Sequence, residues 1–282
     1  MKVYKTGTTA YIEYKGTFYT KEVLDWDAFL NRPNLHRTLS DEIDSWNKTN
    51  DSFLRQTKLD PPLGSQEIWA AGVTYERSKS ARMDEAKASG GAIFYDKVYD
   101  AERPELFFKS TARRCVGHGE EVFIRKDSSW NVPEPELTLF VNSNGNIEGY
   151  TIGNDMSSRS IEGENPLYLP QAKTYEKSAA IGPCLLVLEN QIPSTTEIHI
   201  QIARKDQIMY EENVAISKIK RGFDELVGFL FRECDFPDGV FLMTGTCLVP
   251  PDEFSLAVGD LISISIDQIG TLVNHVAVKS NK

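Results

Sequence analysis

An Asn-Gly pair between two runs of alternating residues constrains this chain more than any other feature. The stretch PEPELTLFVNSNGNIEGYTIGND, residues 133–155, carries Asn144-Gly145 at its centre, a strong short-range signal for a hairpin turn. With these two residues as a type I′ loop, Ser143 pairs with Asn146 and the register follows. Val141 then faces Glu148, Leu139 faces Tyr150, and Leu137 faces Ile152. On the other face Thr138 meets Thr151, Glu136 meets Gly153, and Glu134 meets Asp155. Successive side chains of a strand point to opposite faces. One face is therefore apolar, with Leu137, Leu139, Val141, Tyr150 and Ile152. Glu134, Glu136 and Asp155 converge on the opposite face at the open end, where directly opposed Cβ atoms are roughly 5 Å apart.

Three carboxylates that close repel one another unless a cation joins them. An oxygen-only set suits Mg²⁺, with Mn²⁺ or Ca²⁺ as alternatives, and Mg²⁺ keeps positions open for water or substrate. No Cys or His accompanies the cluster, which argues against zinc. The bland alternative is a solvated acidic strand end. The register, the rigid Pro133 and Pro135 and the ordered apolar face favour the metal.

Around this hairpin the chain reads as mainly β. Residues 3–20 alternate about Lys15-Gly16 and predict a hairpin. Residues 22–60 are polar and partly helical, and end in the breaker run Leu59-Asp60-Pro61-Pro62-Leu63-Gly64. This divides the chain into a small N-terminal domain, 1–62, and a larger domain, 63–282. Further strands are expected at 68–73, 106–109, 121–125, 136–141, 147–152, 184–188, 197–203, 207–210 and 261–266. Residues 223–232 have helical spacing, with Phe223, Leu226, Val227 and Leu230 on one face. Residues 75–88 predict a polar helix, and Ser89-Gly90-Gly91 after it suggests a mobile lid.

The formal net charge of −10 argues against a nucleic-acid binder, while local Lys and Arg can still receive an anionic small molecule. No apolar run of 18 residues and no N-terminal apolar leader is present, and the four cysteines form no CxxC pair. These features predict a cytoplasmic protein with no membrane partner. The four histidines form no legible Ser–His–Asp arrangement.

The PEPEL and GYTIGND stretches, with the later Lys173, resemble the fumarylacetoacetate hydrolase superfamily over residues 65–270. Its signature is two glutamates one residue apart, an Asp after Gly-Tyr-x-x-x-Asn, and a downstream Lys. YDKVYDAERPELFFK (95–109) and SSRSIEGENPLYLPQAK (157–173) resemble a sugar-acid branch of that superfamily. The resemblance implies an α+β, mainly β fold: a rolled mixed-sheet catalytic core with a small N-terminal domain, and a homodimer or higher homo-oligomer. It also implies a Mg²⁺-dependent dehydratase of a 2-keto-3-deoxy sugar acid, such as 2-keto-3-deoxy-arabinonate going to 2,5-dioxopentanoate.

Within this frame Lys173 is a candidate for stabilising an enolate oxygen or moving a proton. Glu105 is a candidate general acid or base, set by alternation on one side with Phe107 and Lys109 as substrate-binding residues. Tyr75 and Arg77, at the end of an expected strand, are candidates for binding substrate, Arg77 as a carboxylate clamp. The superfamily's Gly-Thr loop adds Thr246 as a substrate-binding candidate. Each has a bland counterpart: a surface lysine, a structural ion pair, an exposed helix charge, a turn.

Two other functions compete with dehydration. A hydrolase or decarboxylase of an acylpyruvate or oxaloacetate-like acid would need an activated water. The 75–88 region offers no His for it, and Glu162, a further substrate-binding candidate, stands where hydrolase members usually carry Gln. A non-catalytic 2-keto-acid binder would bind its ligand and leave it unchanged. The intact carboxylate set with Lys173 disfavours that reading.

Overall fold

In a computed structural model, which describes residues 1–75 and 97–280, two mixed β-sheets carry most of the strands. The larger runs in the order Asn47–Thr49, Thr17–Glu22, Thr9–Tyr14, Lys2–Thr6, Ala179–Leu186, Ile147–Asp155, Pro135–Val141, Val240–Met243, Glu67–Gly72 and Glu105–Ser110. The short strand Cys115–Val116 lies parallel to Ala179–Leu186. The second sheet is ordered Gln207–Ala215, Glu197–Arg204, Leu261–Ile266, Gly270–Val278 and Glu121–Ile124. The expected helix over 223–232 forms as Phe223–Leu230, and helices Trp26–Leu30, Leu35–Glu42 and Phe53–Gln56 fall within the 22–60 segment.

The central hairpin takes the expected register over its inner half: Glu136 opposite Gly153, Leu137 opposite Ile152, Thr138 opposite Thr151 and Leu139 opposite Tyr150. The outer half departs from it. The pairing shifts after Phe140, so Val141 faces Ile147 and not Glu148. The cause lies at the tip. A type I′ turn needs positive φ at both central residues, yet only Gly145 has it, at 78°. The Asn142 side chain accepts from the N–H groups of Asn144 and Asn146, and Gly145 N–H donates to Asn142 O. That side-chain turn competes with the two-residue loop and inserts an extra residue. The N-terminal hairpin makes the tight turn instead, with Lys15 at φ 50° and Gly16 at φ 75°.

The strand Pro135–Val141 is buried along its whole length, so it has two covered faces. Leu137, Leu139 and Ile152 pack with Ile200, Ile264 and Leu272 of the second sheet. Phe140 and Phe241, on the other face, pack with Val3, Ile12, Leu35 and Leu39 from the N-terminal 62 residues. Those residues also extend the sheet, with Val3 opposite Leu185. The Glu148 carboxylate accepts from the Asn34 and Leu35 N–H groups, tying this segment to the hairpin. Burial on both sides of the central strands leaves their open end as a rigid platform for polar side chains. Among the described residues no helix is long and apolar enough to cross a membrane.

Candidate active site

The ladder of the central hairpin ends at Pro135 opposite Asn154, yet Asp155 N–H still donates to Glu134 O at 2.9 Å. The prolines therefore do not splay the strands. Just beyond, Asn131–Val132 and Ser157–Ser158 pair with each other and close the end. Glu134, Glu136 and Asp155 come together there, all buried, each offering one carboxylate oxygen, with these atoms within 4.8 Å of one another. Glu136 accepts from Gly245 N–H at 2.5 Å.

Two cations meet the carboxylates from the helical segments that follow. Lys173, at the end of the helix Leu169–Lys173, donates to Glu134 Oε2 at 2.7 Å, Asp155 Oδ2 at 2.8 Å and Ser157 Oγ at 2.6 Å. Three acceptors match the three N–H bonds of an ammonium. Arg159, on the helix Arg159–Glu164, places Nη2 at 2.9 Å from Glu134 Oε1. Glu162 Oε2 lies 3.7 Å from Arg159 Nε, and its Oε1 lies 3.9 Å from Lys173 Nζ. A third cation, Lys109, is fully buried and ion-pairs with Asp155 Oδ1 at 2.5 Å.

Four buried carboxylates against three cations leave one formal negative charge. A divalent cation reverses it to one positive, which a mono-carboxylate substrate would neutralise. The structure itself favours such an ion. The Glu136 carboxyl is pushed well above the usual carboxylate range, chiefly by burial and then by the charges of Asp155 and Glu134. Three buried oxygens within reach of one centre, with no sulfur or imidazole among them, fit Mg²⁺.

The carboxylates line a cavity together with the apolar side chains of Phe107, Val73 and Val249. The Phe107 ring centroid lies 5.6 Å from Lys173 Nζ. Val73, just past the strand Glu67–Gly72, has φ 53°, a strained conformation for a β-branched residue. It is held by Thr74, whose hydroxyl donates to Thr244 O and whose carbonyl accepts from Lys220 N–H.

Of the residues singled out from sequence, Glu134, Glu136, Asp155, Lys173, Phe107 and Thr246 line this cavity. Tyr75 is buried, and burial first, then the charges of Cys247 and Glu136, push its phenol up. Glu162 is buried beside Lys173 and Arg159. Glu105 is half-buried and pairs with Gly72 across the strands. Its carboxylate lies against Gly72, 1.9 Å from where a Cβ there would sit, and Gly72 lines the cavity. Lys109, expected at the substrate, lies beneath Asp155 and donates to the main-chain oxygens of Met156 and Lys173. Arg77 and the lid helix expected over 75–88 lie outside the described residues, except for Tyr75. Arg159, Ser157 and Gly245 were not singled out from sequence. Arg159 had a signal, since it stands four residues after Asp155 within a stretch that carries the resemblance.

The close approach of Gly72 and Glu105 gives a prediction. Gly72→Ala should displace the Glu105 carboxylate, the far end of a flexible side chain, without breaking the strand. If Glu105 is the acid–base group expected from sequence, activity should fall on the order of 10-fold or more, with thermal stability nearly unchanged. Unaltered kcat would show that the position of Glu105 is irrelevant to turnover.

Residues 67–277 match the family model described as fumarylacetoacetate (FAA) hydrolase C-terminal. The chain belongs to the fumarylacetoacetate hydrolase family. It is 42% identical over 250 residues to a probable 2-keto-3-deoxyxylonate dehydratase of Haloferax volcanii, covering 88% of this chain and 85% of that one. It is 44% identical over 227 residues to the 2-dehydro-3-deoxy-D-arabinonate dehydratase of Saccharolobus solfataricus, covering 79% of this chain and 76% of the relative. A solved structure of 2-keto-3-deoxy-D-arabinonate dehydratase complexed with magnesium and 2,5-dioxopentanoate superposes with a TM-score of 0.85 at 34% identity, over 100% of both chains. The mainly β architecture expected of the family is the one this chain adopts.

Proposed function

We propose that this member of the fumarylacetoacetate hydrolase family is a Mg²⁺-dependent hydro-lyase that dehydrates a 2-keto-3-deoxy sugar acid. The observation that carries this reading is the buried trio Glu134, Glu136 and Asp155 with Lys173 bonded into it. It stands on a fold shared with a dehydratase whose complex holds magnesium and 2,5-dioxopentanoate.

Glu134, Glu136 and Asp155 would hold the metal. When bound, Mg²⁺ supplies Lewis acidity that draws electron density from a 2-keto carboxylate and makes the neighbouring C3 protons acidic. Lys173, kept as an ammonium by its three acceptors, presents positive charge where the enolate oxygen develops. Glu105, beside Gly72 at the cavity wall, takes the C3 proton and returns it to the departing C4 hydroxyl. The C3–H and C4–O bonds break, a C3=C4 double bond forms, and water leaves. Transfer of a proton from C5 to C3 gives the C4=C5 enol, and passage of its hydroxyl proton to C4 then gives the C5 aldehyde of a 2,5-dioxo acid. Phe107, Val73 and Val249 limit water at the reacting carbons. Thr246, Glu162, Tyr75 and Arg77 complete the proposed substrate-binding set. The four free cysteines suit a reducing cytoplasm, and a homo-oligomer, measurable by light scattering, belongs to the same proposal.

The test is a substrate panel with Mg²⁺ and product identification, setting 2-keto-3-deoxy pentonates and hexonates beside acylpyruvates and oxaloacetate. Dehydration of a keto-deoxy acid is expected to have the highest kcat/KM. A higher value for hydrolysis of an acylpyruvate, or for decarboxylation of oxaloacetate, would overturn the proposal.

A further inference from the structure

We infer that Lys109 is a positioning residue, a buried ammonium that fixes both the orientation of the Asp155 carboxylate and the aim of Lys173. The inference rests on the reading above for its catalytic consequence, though not for its effect on metal binding.

Lys109 stands on the strand Glu105–Ser110, at the edge of the large sheet, and it is 0% exposed. Its Nζ reaches three oxygens: Asp155 Oδ1 at 2.5 Å, Met156 O at 2.8 Å and Lys173 O at 2.5 Å. Two of these contacts are hydrogen bonds to main-chain oxygens and the third is an ion pair with the Asp155 carboxylate.

The three oxygens belong to two parts of the site that are far apart in the chain. Asp155 and Met156 are where the strand Ile147–Asp155 ends, and the Lys173 carbonyl closes the helix Leu169–Lys173. One charged group therefore couples strand to helix. At Asp155 the two oxygens are divided: Lys109 takes Oδ1 and Lys173 meets Oδ2. Rotation of the carboxylate about its Cβ–Cγ bond would break the contact with Lys109, so Oδ2 stays toward Lys173, which also holds Glu134. At Lys173 the main-chain carbonyl is held by Lys109 while the side chain reaches Glu134 and Asp155. Anchoring the backbone fixes the direction of the Cα–Cβ bond, and with it the position of Nζ.

A charge buried this deeply is costly unless fully paired, and hydrophobic packing alone could be supplied by methionine. The energetic return for keeping an ammonium here is fixed geometry in the groups above it. Partners that orient metal ligands typically contribute about 10- to 100-fold in metal affinity or activity.

The test compares wild type with Lys109→Met and Lys109→Gln, by calorimetric titration with Mg²⁺ and Mn²⁺ after chelation and by steady-state kinetics. Lys109→Met is expected to weaken the Kd for both ions by about 10-fold or more and to lower kcat with it. Lys109→Gln, which keeps an N–H donor, is expected to recover part of both losses. Folded Lys109→Met protein with wild-type Kd and kcat would overturn the inference. So would failure of both variants to fold, because the residue would then hold up the fold and not the site. If wild type binds Mg²⁺ but dehydrates no sugar acid, the reading of the reaction fails, while the Kd comparison still decides the role of Lys109.

Discussion

Lys173→Met should lower kcat by about 100-fold or more while leaving Mg²⁺ affinity within a few-fold of wild type. The methionine keeps the length of the side chain and removes three N–H donors from Glu134, Asp155 and Ser157. The carboxylates lose a competing cation, so their affinity for a divalent ion should not suffer. On the proposed mechanism, the enolate oxygen loses the positive charge that Lys173 would supply. A group that acts mainly in the transition state lowers kcat and kcat/KM together, with little change in KM. Steady-state kinetics on the best substrate, with metal binding measured in parallel, check this. Near-wild-type kcat would remove Lys173 from the catalytic set.

Glu136→Gln should act the other way, through the metal. Its amide oxygen can still accept from Gly245 N–H, so the local fold should persist, but the ligand charge is gone. Mg²⁺ affinity and kcat/KM should fall together, on the order of 100-fold. A second consequence separates this from simple damage. Glu136 is a buried carboxyl raised by burial and by its acidic neighbours. Its ionised form is thus disfavoured in the folded state, and removing the charge relieves that cost. Chelated Glu136→Gln is expected to melt no lower than chelated wild type, whereas with Mg²⁺ present the wild type should gain stability that the variant does not. Differential scanning calorimetry with and without metal reads both effects.

The central hairpin was legible because three local signals agree there. Period-2 alternation, an Asn-Gly turn and paired prolines set Glu134, Glu136 and Asp155 on one end before any long-range contact is known. The same reasoning missed the form of the tip, where the Asn142 side chain claims two backbone N–H groups and shifts Val141 by one residue. The error is confined to the outer half, so the metal-facing end kept its register. The second buried face was not legible, since Phe140 meets Val3 and Ile12 only through the joining of Lys2–Thr6 to Ala179–Leu186. Lys109 shows the limit most clearly. It lies on the expected strand, but at a register shift, since Ile68 pairs with Ser110 and Trp69 with Phe108. Its partners Met156 and Lys173 lie 47 and 64 residues away, where no local pattern reaches. The resemblance supplied what local reasoning lacked at Lys173, whose position 18 residues after Asp155 has no meaning without the fold.

The most direct measurement is ¹³C NMR of 2-keto-3-deoxy-arabinonate incubated with the chelated protein before and after Mg²⁺ is added. The account predicts no turnover without metal, and conversion to 2,5-dioxopentanoate with loss of one water once Mg²⁺ is present. Full turnover in chelator, or cleavage of the carbon chain in place of loss of water, would contradict it.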